Sequence, residues 1–180
     1  MAKYKLTEEK RKFKGRTLYR IRYIEDDELG GWIESYKNLS QEGNAKVLGD
    51  AYVWGNAHVY DNAVVRDNAY VYDNAQVFGN AIVYENAHVS GKAKVSDKAN
   101  IFGNAQVLDN AYVSGDAKVG GKTHVRGNAQ VWINARILGN ARILGNAQVF
   151  GNAVVDRSAR VFGNAKVSGN ERVSKNYLNY

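Results

Sequence analysis

The chain has 180 residues, no cysteine, no proline and a formal net charge of +7. This length allows one domain, or one domain with a small cap, and the lack of cysteine excludes disulfides, a thiol nucleophile and a cysteine-based zinc site. Residues 1–16 are charged with no apolar h-region, and no stretch approaches the ~20 apolar residues of a membrane span, so the expectation is a cytoplasmic protein without leader or membrane segment.

In chain order, residues 17–24 alternate polar and apolar like a strand, residues 26–31 read as a turn, and residues 32–35 read as a second strand. From Ala45 to Ala165 every sixth residue is Ala, with Thr123 the one exception. Two positions after each stands Val or Ile, unbroken for 22 units from Val47 to Val173. Asn often precedes the Ala, as in Gly55-Asn56-Ala57, so the unit is G/D-N-A-x-V-x. Ala and Val two apart share one face of a short strand, and a strict period of six does not fit a helix. Gly-Asn between strands is corner chemistry, with Asn expected to take the left-handed conformation. Strands this short bury their apolar face only by stacking unit on unit.

This unit resembles the hexapeptide repeats of left-handed parallel β-helices. The resemblance implies three hexads per triangular coil of 18 residues, hence about seven coils and a prism roughly 35 Å long. It also implies a fold shared by acyltransferases, carbonic anhydrases and scaffolds without catalysis. The run Leu29-Gly30-Gly31-Trp32-Ile33-Glu34-Ser35, with Lys37-Asn38-Leu39-Ser40 and Glu42-Gly43-Asn44-Ala45, is similar to small bacterial and prophage nesting-repeat proteins carried under transferase or polymer-forming labels. Residues 1–44 are therefore expected to form a β-hairpin cap with Trp32 over the open core, because a bare first coil invites end-to-end pairing. Residues 45–174 are expected to form the β-helix, and residues 175–180 a tail whose Tyr177, Leu178, Asn179 and Tyr180 are expected to fold over the last coil.

Hexapeptide acyltransferases commonly extrude a loop and use a histidine between subunits. Here His58, His88 and His124 occupy the outward x of A-x-V, and no insertion breaks the register from Ala45 to Val173. His88 and His124 are two coils apart, about 9.6 Å, too far to share one zinc at ~2.0–2.1 Å per bond within one chain. The γ-class carbonic anhydrases similarly use histidines two coils apart across a subunit cleft, but the place of their third histidine is Ala129 here. No phosphate loop, GxSxG or calcium nonapeptide occurs. No catalytic residue, metal or cofactor is assigned.

Sorting outward residues by 18 exposes two surfaces. One column carries Tyr60, Phe78, Trp132 and Phe150, with Ser96 and Ser114 as a narrow waist between the pairs, and is the candidate interaction surface. The other face starts with Tyr52, Trp54, Tyr70 and Tyr72 and ends with His88, Lys122, His124, Arg126, Arg142 and Arg160, a candidate anion-binding face. Charge is polarised along the chain: residues 45–85 carry a net −3 and residues 86–180 a net +8. Outward aromatics and Arg point to an interface. The leading reading is a non-catalytic β-solenoid acting as a rigid homo-oligomeric scaffold or protein-binding module, trimeric by the resemblance, in a phage or bacterial setting. An acyltransferase-like enzyme with a site between subunits is the alternative, and an anion, nucleotide or nucleic-acid binder the third.

Overall fold

Each hexad folds into a two-residue strand and a tight corner, from Lys46–Val47 to Arg172–Val173, in a computed structural model that describes residues 2–176. Strands pair in parallel with those 18 residues on, as in His88 with Gln106 and Val95 with Val113. Three sheets result. Sheet A contains Tyr52–Val53, His88–Val89 and Arg160–Val161; sheet B runs from His58–Val59 to Lys166–Val167; sheet C runs from Lys46–Val47 to Arg172–Val173. Every repeat Ala and Val or Ile lies in one continuous core, fully buried up to Val167. Thr123 takes the Ala place at the cost of a buried hydroxyl with no partner among the described residues, typically about 1–3 kcal/mol. No helix among the described residues is long and apolar enough to cross a membrane.

The corners correct one expectation. The left-handed residue is the one before Asn: Gly55 has φ +69°, Asp61 +58° and Asp109 +61°. Asn instead ladders by side-chain amides, Asn110 to Asn128 to Asn146 to Asn164. Asp or Glu at the left-handed place accepts the amide N–H of the residue one coil on, as Asp61 does from Gly79, Glu85 from Gly103 and Asp109 from Gly127. Several repeat acids are therefore occupied in fastening coil to coil.

The N-terminal segment holds three strands, β1 (Tyr4–Phe13), β2 (Arg16–Tyr23) and β3 (Leu29–Ile33). β1 had no signal in the sequence reading. β1 and β2 form a hairpin through Lys14-Gly15, both with φ > 0, which matches the right-handed strand twist. β2 pairs antiparallel with β3, and β3 pairs parallel with Tyr52–Val53. Thus β3 is the first rung of sheet A, and Leu39 bridges to Val59 as the first rung of sheet B. The solenoid has about eight turns rather than seven, because Ile33 and Leu39 take inward places ahead of the Ala column.

Gly30 and Gly31 lie inside β3 rather than in a turn. A Cβ on Gly30 would stand 2.6 Å from Ile21 Cγ1, and one on Gly31 would stand 2.7 Å from both Val47 Cγ1 and the Ala51 carbonyl oxygen. Ile21, Tyr23 and Tyr4 roof the core there, with the Tyr23 hydroxyl bonded to the Val47 backbone. Trp32 does not roof the core. Its register partner is Tyr52, on the outward face, whereas Ile33 pairs with inward Val53, so strand alternation puts the indole outside. Asn38 closes the first corner: its Oδ1 accepts from the Glu34 and Ser35 amides, and its Nδ2 donates to the Gly55 and Ala57 carbonyls at 3.0 Å each. The expected fold of residues 177–180 over the last coil lies outside the described residues.

Candidate functional site

The hairpin tip folds down over the aromatic beginning of sheet A. Phe13 packs on Tyr52, Trp54 and Tyr70, with ring centroids 4.8, 5.4 and 5.7 Å away. Leu18, Trp32, Tyr52 and Trp54 are buried together, and the Arg11 guanidinium lies 4.2 Å over the Trp32 ring. These outward aromatics are thus covered by the chain itself, an outcome the alternation pattern could not reveal.

Sheet B carries the other column. Tyr60 stacks on Phe78 at 5.0 Å and 4°, and Trp132 on Phe150 at 4.6 Å and 8°. His58 extends the first pair, 4.9 Å from Tyr60. All four aromatics of the column are half-buried, and no hairpin covers them among the described residues. The waist is not a gap. The Tyr112 hydroxyl reaches Ser96 Oγ at 3.0 Å and the residue is 37% exposed, so its side chain lies across the face between the pairs. Sequence reasoning missed Ile133. It occupies a left-handed corner place, φ +63°, and is 47% exposed beside Trp132. A β-branched residue at such a φ costs of order 1–3 kcal/mol. The signal was legible as Ile-Asn-Ala where the unit has Gly-Asn-Ala or Asp-Asn-Ala.

The candidate basic face divides in two. His88 ends the aromatic stack, 4.7 Å from Tyr70, and Gln106 separates it from His124. Beyond Gln106, His124 pairs in register with Arg142, and Arg142 with Arg160, while Lys122 and Arg126 flank His124 along its own coil. His124, Arg126, Arg142 and Leu144 line a cleft of about 170 Å³. A larger depression of about 510 Å³ lies along the corners at Gly55, Asp73, Gly91 and Asp109. It is a gutter whose Asp73 and Asp109 carboxylates are engaged with the Gly91 and Gly127 amides. Among the described residues no group of three or more His, Cys, Asp or Glu converges as metal ligands.

Burial lowers the pKa of all three histidines below the ordinary 6.5, helped by Lys14 at His88 and by Arg142 and Arg126 at His124, and opposed by Asp61 at His58. The unfolded chain therefore binds these protons at higher pH than the native one. The histidine contribution to stability is full above about pH 6.5 and is lost as pH falls through the depressed native values. Asp156 and Asp26, held below 3.8 by hydrogen bonding to Ser174 and to the Glu28 amide, act only in a more acid range. Melting temperature is expected to fall from about pH 7 to about pH 5, and to fall less in His88→Gln; identical pH slopes would refute this assignment.

Residues 75–91 match the family model described as the YdcK Beta solenoid repeat. No curated protein matches the chain. The match covers close to one coil, and the chain is a β-solenoid whose repeat, over that coil, is similar to the YdcK repeat.

Proposed function

We propose that the protein is a rigid homo-oligomeric scaffold whose subunits pair side by side through sheet B. The observation carrying this reading is the order of the outward column: Tyr60, Phe78, Ser96, Ser114, Trp132, Phe150. It reads the same from both ends in character. A two-fold axis between Ser96 and Ser114 sets the Tyr60–Phe78 pair of one copy against the Trp132–Phe150 pair of the other, the self-complementary arrangement an isologous interface needs. The same operation brings the net −3 of residues 45–85 beside the net +8 half of the second copy, an attraction that salt weakens beyond ~8–10 Å. The column spans six rungs, about 24 Å from first to last. Covering such apolar surface stabilises by ~25 cal/mol per Å². On sheet A this chain already covers equivalent aromatics with its own hairpin. Rigidity follows from the backbone, paired along three sheets at each coil.

Light scattering at micromolar concentration is expected to give a dimer or a higher multiple for wild type and a monomer for Trp132→Ser/Phe150→Ser, with unchanged circular dichroism. Ile133→Gly is expected to weaken assembly while raising the stability of the subunit by about 1 kcal/mol, since it removes the left-handed strain. A wild-type monomer overturns the scaffold, and an undiminished oligomer in the double variant overturns the choice of face.

A further inference from the structure

We propose that the basic end of sheet A is a binding site for an oligophosphate, an anion carrying two or more linked phosphoryl groups, recognised by Arg126, Arg142 and Arg160 around His124. Three successive coils build it. Their sheet A segments, residues 121–128, 139–146 and 157–164, hold Lys122, Arg126, Arg142, Arg157 and Arg160 and no Asp or Glu. Arg142 and Arg160 are direct register partners on adjacent parallel strands, about 4.8 Å apart. Like charges facing each other there destabilise a sheet. None of these five cations makes an ion pair among the described residues. The contrast is with the cap, where Arg11, Arg16, Arg20 and Arg22 are each paired with a carboxylate. The repeat could supply acids here, because the left-handed corner place takes Asp or Glu at Asp61, Asp67, Glu85 and Asp109; in these coils it is Gly121, Gly127, Gly139, Gly145, Arg157 and Gly163.

The face is also shaped. His124, Arg126, Arg142 and Leu144 enclose the 170 Å³ cleft, so an anion there would meet guanidinium walls over an apolar side chain, which strengthens attraction relative to open water. Guanidinium forks match phosphoryl oxygens two at a time. A single phosphate meets cations on one or two rungs, whereas a linked chain of phosphoryl groups follows them across three, roughly 10 Å. Among the groups facing His124, from its own strand and from the strands holding Gln106, Leu108, Arg142 and Leu144, the charged ones are Arg126 and Arg142; both depress its protonation, and a bound anion would reverse that. The site lies on a different sheet from the proposed subunit contact and does not depend on it.

Calorimetric titration with tripolyphosphate at low salt tests the site. One equivalent is expected to bind, with affinity that drops steeply as salt is raised. Arg142→Ala and Arg126→Ala are each expected to weaken binding by about tenfold or more, and Arg136→Ala, on sheet C, by less than about twofold. Proton NMR is expected to show the His124 pKa rising on saturation while that of His58 stays put. Adenosine triphosphate binding at least as tightly assigns the site to a nucleotide, and tripolyphosphate binding alone assigns it to a free oligophosphate; both uphold it. No saturable binding, equal losses in Arg136→Ala, or an unmoved His124 overturns it. So does a single-stranded oligonucleotide that binds tighter than either probe with its losses spread over Arg136.

Discussion

Val95→Asp is expected to unfold the middle of the solenoid, while Lys94→Asp, one residue earlier, leaves the melting temperature within about 2 °C of wild type. Val95 is fully buried between Val77 and Val113 of the coils on either side, with Ala93 and Ala99 beside it along the chain. A carboxylate there is shut off from water among apolar side chains, with no hydrogen-bond partner beside it. The cost is roughly 4–5 kcal/mol or more, a large part of the 5–15 kcal/mol that holds a typical domain. Lys94 on the same two-residue strand points outward and is exposed. Because coils contact only their neighbours, the loss splits the stack, and limited proteolysis should cut near residue 95 before the ends. Thermal circular dichroism checks the pair; a Val95→Asp protein melting with wild type would refute the inward assignment of the whole Val column.

Gly31→Val is expected to unseat the cap and cost roughly 3–5 kcal/mol, combining overpacking with lost backbone pairing. The added Cβ would stand 2.7 Å from the Ala51 oxygen, which accepts the Trp32 amide at 2.8 Å. Neither group can yield, since the first is backbone and Val47 beside it is core. β3 would swing off the first full repeat coil, taking β2 and the Phe13 contacts with it. That exposes Tyr52 and Trp54, now 7% and 4% exposed, together with an open strand edge. The expected readout is a red-shifted tryptophan emission and concentration-dependent aggregation of otherwise β-rich protein. Gly15→Ala, at the open hairpin tip with nothing near its Cβ, tests the alternative that any glycine change in this segment does the same. Its φ of +76° brings local strain alone, and it should not aggregate.

The periodic part of the molecule was legible residue by residue. Ala-x-Val in strict sixes named the inward column, and the structure buries it throughout. The corner was legible in place but not in detail. Gly-Asn marked it, yet whether Gly or Asn takes positive φ depends on which amide must face the next coil, and the Asp-to-amide and Asn-to-Asn bonds are made 18 residues away. The basic and aromatic columns were legible as rows because an 18-residue period maps sequence onto surface. Their partners were not.

What the sequence determined by itself is the coil: its period, its inward and outward sets and the columns that outward residues form, since each follows from local alternation and repetition. The tertiary structure alone decided what covers those columns. Tyr52 and Trp54 look as outward as Tyr60 and Phe78 in the repeat, and only the path of residues 4–23, which carry no repeat, buries the first pair and leaves the second. It alone also decided that Gly30 and Gly31 form a strand pressed on Val47 rather than a turn. These are contacts between segments without a common period, and their energies depend on distances that no local pattern encodes.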